Sequence, residues 1–409
     1  MKYYIVAALV LISSFAHAQY YKTLPKGVRS AIIRNIQTSN IDSSYNHSES
    51  LRPLAYDITL DSSSLDALED TSIQNMFNRV REIYPEGFDR LSAGSFNISG
   101  AANLNINAYA LAWGLTEKTT VYGALPMYKA EVKMKYKRTK ENNFDEVADL
   151  YSTETGNDVA QGFGSFFENA PDLINGSTIQ NLLVENYGYR EIGDWSAEGP
   201  GDMEFGIMNN FLSKDNYGAM VTAGFIAPTG REDNPDILQD IAFGDGQWDI
   251  FGEIGGGYRI KDRMFLNTFA RYTYQFASDK ELRVPTSSDM SISDQKGTFQ
   301  EKLGNKLLFN MDLEYLHSQW IEMRAAYLYE KVGKAQYESE YDDANEYLAA
   351  NTESSAHNLR MTGTITTVQP YLNNDFLLPG QLKFHYQKML HGRNTEKVDR
   401  YEVEFRMFF

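Results

Sequence analysis

Apolar and polar residues alternate with period two along most of this chain. At the C-terminus Tyr401, Val403, Phe405, Met407 and Phe409 share one parity, and Glu402, Glu404 and Arg406 hold the other. The same division recurs over Tyr217 to Phe225, Met264 to Phe276, Leu307 to Tyr315, Ile321 to Tyr329 and Leu382 to Leu390. Alternate side chains of a strand point to opposite faces, so each stretch predicts a strand with one apolar and one polar face. The stretches run to about 10–15 residues, and about 9–11 suffice for a tilted strand to cross a bilayer.

The pattern predicts twelve strands, near 28–39, 97–113, 119–137, 202–212, 217–228, 247–260, 264–278, 303–316, 320–334, 356–369, 380–391 and 397–409. Joins at 114–118, 213–216, 261–263 and 317–319 are short and polar, whereas 138–201, 229–246, 279–302 and 335–355 are long. Short and long joins alternate as periplasmic turns and outer loops do in membrane barrels. The expectation is an all-β, transmembrane antiparallel barrel of about twelve strands, with both termini on the turn side. Leu54, Tyr56, Ile58 and Leu60 also alternate, and compete with 28–39 for the place of first strand.

One strand changes parity. Val121, Gly123, Leu125 and Met127 are apolar at odd positions, but Ala130, Val132, Met134 and Tyr136 at even ones, with Pro126 at the change. Two explanations stand. Either a β-bulge interrupts Pro126 to Tyr128, or the strand leaves the bilayer there and parity stops reporting lipid.

Two segments depart from period two. Residues 1–18 carry Lys2, the apolar run Ile5 to Ile12 and Ala16-His17-Ala18, the pattern of a cleaved secretory signal peptide. Residues 19–409 then form a single barrel domain. Within it, 41–95 is the first outer loop or a plug, and 62–84 has a helical period in Leu65, Leu68, Ile73, Met76, Phe77, Val80, Ile83 and Tyr84, closed by Pro85 and Gly87. The loop 138–201 is long and acidic and holds Phe163, Phe166, Phe167 and Trp195.

Composition narrows the chemistry. The 38 Lys and Arg against 55 Asp and Glu leave a net charge of −17, which argues against a nucleic-acid partner. The absence of Cys removes thiol catalysis, disulfides and Cys-based zinc sites. His47, His317, His357, His385 and His391 show no metal-ligand spacing, and the acidic run Glu338, Glu340, Asp342, Asp343 and Glu346 has no ordered calcium-loop pattern. No catalytic residue, metal or cofactor is expected. The unbalanced acid falls mostly at 138–201 and 335–355, which reads as solvated outer-loop surface.

Parity assigns the inward face Glu253, Arg271, Asp312, Glu314, Glu322, Arg324, Arg360, Lys383, Glu402, Glu404 and Arg406. With both signs present, these are candidates either to line a narrow polar conduit or to close the lumen by ion pairing. Gly255 to Gly257 leaves a bare patch of wall, where something packs closely. Trp113, Phe211, Tyr217, Tyr258, Phe265, Tyr315 and Trp320 lie near the short turns. Amphipathic rings favour the bilayer interface, so Trp113, Tyr217, Tyr258, Tyr315 and Trp320 are the candidate interface aromatics.

Several short motifs resemble one family. Trp113-Gly114-Leu115-Thr116-Glu117-Lys118 leads to Tyr122-Gly123-Ala124-Leu125-Pro126, and Gly201-Asp202-Met203-Glu204-Phe205-Gly206 follows later. Ala227-Pro228-Thr229-Gly230-Arg231, and Gly244-Asp245-Gly246-Gln247-Trp248-Asp249 before Gly255-Gly256-Gly257-Tyr258, complete the set. In order and spacing they resemble the outer-membrane proteins named for the meta-pathway of phenol degradation, which are similar to the long-chain fatty-acid transporter superfamily. The resemblance implies a channel in the cell outer membrane for passive uptake of small solutes, hydrophobic and aromatic ones included, and carries no catalytic motif. The terminal strand likewise resembles the signal read by the barrel assembly machinery, through Tyr401, Val403, Phe405, Met407 and Phe409. Outer-membrane lipid and lipopolysaccharide are the expected surroundings. The alternative is a non-transporting barrel, with a salt-bridged lumen and loops that serve structure or surface interaction.

Overall fold

The computed structural model describes residues 21–62, 71–158, 180–287 and 292–409. The expected signal peptide, Phe163, Phe166, Phe167 and residues 63–70 of the expected helix lie outside these. Twelve strands form a closed ring: β1 Arg29–Thr38, β2 Ser92–Thr116, β3 Thr119–Lys140, β4 Met203–Ser213, β5 Tyr217–Ala227 and β6 Asp249–Lys261, then β7 Met264–Gln275, β8 Lys306–Leu316, β9 Ile321–Val332, β10 Ser354–Thr366, β11 Gly380–Arg393 and β12 Arg400–Phe408. Each pairs antiparallel with its neighbours in sequence. β1 bonds both β2 (Arg29 opposite Trp113) and β12 (Ser30 opposite Phe408), which closes the ring. Closure leaves the ring with no open sheet edge, as a hydrocarbon surround demands. The competing segment Ala55–Asp61 is a strand, but it pairs only with the far end of β2.

Among the described residues, one end of the barrel carries the turns at 117–118, 214–216, 262–263 and 317–320, and a longer one at 367–379 containing a helix over Val368–Leu372. The other end carries the long loops. The 367–379 turn exposes Leu372, Phe376, Leu377 and Leu378, Leu377 at 89%. These continue the outward apolar row of Ile321, Met323 and Ile365, and Phe376 packs edge-on against Trp320 at 5.7 Å.

β2 and β3 hold 25 and 22 residues, about twice what a bilayer needs. The bulge expected at Pro126 to Tyr128 is absent. Asn107, Ala108 and Tyr109 face Met127, Pro126 and Leu125 in unbroken register, and the even-numbered side chains are the buried ones from Thr120 to Val132. What changes is the surroundings. Up to Met127 the outward face carries Val121, Leu125 and Met127; above it, Lys129, Glu131, Lys133, Lys135 and Lys137 stand exposed while Ala130 and Val132 are buried. The upper strand therefore has a water-soluble pattern, polar out and apolar in. The irregularity sits next door, where the partner of β3 changes from β4 to the short strand Trp195–Pro200.

This extension supports a cap of helices. α1 (Thr71–Ile83) and α2 (Pro85–Arg90) pack with α3 (Phe144–Thr155) through Phe77, Val80, Tyr84, Phe88, Phe144, Val147 and Tyr151. Pro85 does end the first helix, but it also opens the second, where its missing N–H costs nothing. Each large side chain so buried contributes roughly 2 kcal/mol.

The barrel interior as candidate functional site

Eleven interior positions named from parity all face inward, and the ring brings eight of them into two buried groups. In the first, Glu404 is fully buried and accepts from three cations: Arg34 (Nε at 2.8 Å), Lys383 (3.1 Å) and Arg406 (3.0 Å). Glu402 meets Arg360 at 3.3 Å and Arg400 at 3.1 Å, and Gln387 Oε1 accepts from both arginines. In the second, Arg324 bridges Asp312 (3.3 Å) and Glu314 (3.1 Å), while Asn267 donates to the same two carboxylates. Arg271 lies elsewhere, forked onto Glu204 at 3.1 and 2.8 Å and stacked 3.7 Å above Phe251, with Tyr122 donating to Glu204 at 2.7 Å. Glu253 lies within electrostatic reach of Arg271 and Tyr122, and Glu322 within reach of Arg324, Lys383 and Arg406. Sequence reasoning missed Arg34, Glu204, Arg400 and Gln387. Arg34 and Glu204 had a signal, an isolated charge at inward parity within an apolar strand.

At the turn end the chain preceding β1 folds back into the barrel. Tyr21 and Leu24 are buried among Ala112, Tyr122, Met208, Met220, Phe251, Phe269, Leu308 and Phe408. Leu24 N–H donates to Thr120 Oγ1 at 2.8 Å, Asn210 donates to the Tyr21 carbonyl at 2.5 Å, and Gly27 N–H to the Gly114 carbonyl at 2.8 Å. The ring of Tyr21 lies on bare wall: a Cβ at Gly218 would sit 2.2 Å from it, and one at Gly257 3.2 Å. The object packed against the glycine patch is thus the chain's own N-terminal segment.

At the loop end a cavity of about 470 Å³ opens among Ile41, Leu104, Leu303, Val332, Leu348 and Met389, with Glu396, Lys306 and Arg400 among its polar groups. Burial pushes the Glu396 carboxyl up to about 7. Native protein then binds more protons than unfolded chain between the ordinary carboxylate range and pH 7. Stability is accordingly highest below that window and falls as pH rises through it. Glu396→Gln should abolish this dependence, worth at most about 3 kcal/mol, read as the slope of the unfolding midpoint between pH 5 and 8.

The Gly-Asp motifs build the rim beside this cavity. Asp202 accepts Gly230 N–H (2.8 Å) and Asp245 N–H (3.2 Å), and Thr229 Oγ1 donates to the Gly201 carbonyl and accepts Met203 N–H. Gly244 is required by proximity, because its Cβ would lie 2.4 Å from Asp202 Oδ1. Gly244→Ala should loosen the rim by about 1–3 kcal/mol, seen as faster hydrogen exchange at 228–248 with the barrel strands unchanged.

Among the aromatics, Trp113, Tyr217, Tyr258 and Tyr315 point outward near the short turns, and Trp320 lies half-buried against Phe376. Phe211 also points outward. Phe265 does not. It shares the parity of buried Asn267 and is itself buried, under the Arg259 guanidinium at 5.5 Å.

No protein-family model and no curated protein matches the sequence. Among solved structures, an outer membrane channel from Pseudomonas putida F1 superposes with a TM-score of 0.53 at 12% identity, over 95% of this chain and 98% of that one. The toluene transporter TbuX of Ralstonia pickettii (TM-score 0.37, 7% identity, 94% and 90% covered) and the toluene transporter TodX of Pseudomonas putida (0.34, 10%, 98% and 92%) are too distant to carry an argument. The chain has the fold of a twelve-strand transmembrane barrel, shared over 95% of its length with an outer-membrane channel.

Proposed function

We propose that this chain is a channel of the cell outer membrane, in the manner of the long-chain fatty-acid transporter superfamily, for passive uptake of small hydrophobic solutes such as substituted aromatics. The loop-end cavity carries this reading: its volume lies in the range of small-molecule sites, and apolar atoms make up the larger share of its surface, beside the charged groups Arg52, Arg283, Lys306, Glu330, Glu396 and Arg400. The long-loop end then faces outward and the short turns face the periplasm. Below the cavity, the eleven inward residues and Arg34, Glu204 and Arg400 form the gated section, and Tyr21 to Val28 close the periplasmic exit. The reading assigns no catalysis and no cofactor. Trp113, Tyr217, Tyr258, Tyr315 and Trp320 take the inner bilayer interface. The exposed row Tyr401, Val403, Phe405, Met407 and Phe409 is the face offered to the barrel assembly machinery.

Refolded protein in liposomes tests the proposal. Entry of toluene faster than into protein-free vesicles, with slower entry of a sugar of similar size, is the expected result. Equal rates with and without protein would sink it. One observation favours the other reading, a barrel closed for structural reasons: Glu404 and Arg406 are almost wholly shielded from water. Under that reading neither solute enters, in wild type or in any variant of the N-terminal segment.

A further inference from the structure

Above the bilayer band, the outward face of β3 presents Lys129, Lys133, Lys135 and Lys137 on a chain of net charge −17. Alternate residues of a strand stand about 7 Å apart, so Lys133, Lys135 and Lys137 form a comb, set off from Lys129 by Glu131, above the apolar row Val121, Leu125 and Met127 of the same face. Lys129 is held by Glu131 at 3.2 Å and lies opposite Glu198. Lys133, Lys135 and Lys137 make no ion pair among the described residues. Their cross-strand partners on β2 are Ala101, Ser99 and Asn97, small and uncharged, with Asp57 beyond them held by Asn97 at 2.8 Å; on the other side Asp194 accepts the Met134 N–H at 3.0 Å, between Lys133 and Lys135. At the foot of the comb lies a shelf of amides: Asn35 donates to Asn105 at 2.7 Å and to Asn107 at 2.9 Å, and Asn103 continues the row.

Apolar wall, amide shelf and ammonium comb follow one another along a single face. We propose that this face binds a phosphorylated glycolipid of the outer leaflet, with acyl chains against Leu125 and Met127, sugar hydroxyls on the asparagines and phosphates among Lys133, Lys135 and Lys137. The inference rests on the outer-membrane placement proposed above, but not on transport. Charge complementarity selects the ligand: Lys129, Lys133, Lys135 and Lys137 outnumber Glu131 and Asp194, so this face is net positive on an acidic chain.

The test uses refolded full chain in detergent with bisphosphorylated lipid A as probe, bound lipid being counted by native mass spectrometry. A Lys133→Gln, Lys135→Gln, Lys137→Gln triple variant should bind about a hundredfold more weakly, at about a factor of five per lysine. Lys118→Gln, Lys214→Gln, Lys261→Gln makes the same charge change at the turn end and should bind as wild type. Heat-modifiable gel migration verifies that each variant is a folded barrel. Undiminished binding by the comb variant, an equal loss in the control, or inorganic polyphosphate binding as tightly as lipid A would each overturn the proposal. A chain that binds lipid A through the comb yet admits no toluene leaves this inference standing and removes the channel.

Discussion

Tyr21→Ala will raise the open fraction of the channel about a hundredfold in planar-bilayer recordings, without loss of the folded barrel. The ring is 3% exposed and lies against the bare backbone of Gly218 and Gly257, so its truncation removes the largest contact holding the segment inside. Loss of a buried aromatic costs about 3 kcal/mol. Here the cost falls on the occupied position of a tethered segment rather than on the ring of strands, which shifts its equilibrium by about two powers of ten. A second variant reaches the same end from the wall. Gly218→Ala places a Cβ 2.2 Å from the ring of Tyr21, so the segment must leave or tilt. Both variants should open the pore, and Phe at position 21 should restore wild-type behaviour. If Tyr21→Ala and Gly218→Ala conduct no better than wild type, the segment is not the gate.

That gate was half legible in the sequence. The glycine run marked a place for close packing, but nothing named the partner, because the contact joins residues 21 and 218 through a closed ring. The strands themselves were legible because lipid and interior make opposite demands on successive residues, and the demand repeats twelve times. At Pro126 the rule left a bulge or an exit from the bilayer open, and the unbroken register with outward lysines above fits the exit. The rule takes the outer face to be lipid, and on β3 above Met127 the outer face is water. Phe265 was misplaced by a weaker rule, nearness to a turn, although its parity with Asn267 already put it inside. Parity also placed Glu404 inward, yet its partners come from β1, β11 and β12. Arg34 is 370 residues away, and only ring closure brings it near.

Glu404→Gln should be the most destabilising single change in the wall. One carboxylate answers Arg34, Lys383 and Arg406, none of them more than about a tenth exposed, and a neutral amide leaves those cations facing each other. Breaking a buried ion pair on one side costs about 3–5 kcal/mol, because the uncompensated charge stays behind. The measurement is urea unfolding of the barrel in vesicles, with the heat-modifiable band as readout. The cost should fall sharply when one surplus cation goes as well: Glu404→Gln with Lys383→Met should recover about half the loss, a coupling that independent sites would not show. The same variant separates structure from transport. If the network is a closed staple, Glu404→Gln weakens the barrel and leaves conductance at zero. If it lines a gated path, folded Glu404→Gln protein passes anions better than wild type, since Arg34, Lys383 and Arg406 then face the lumen without their counter-charge.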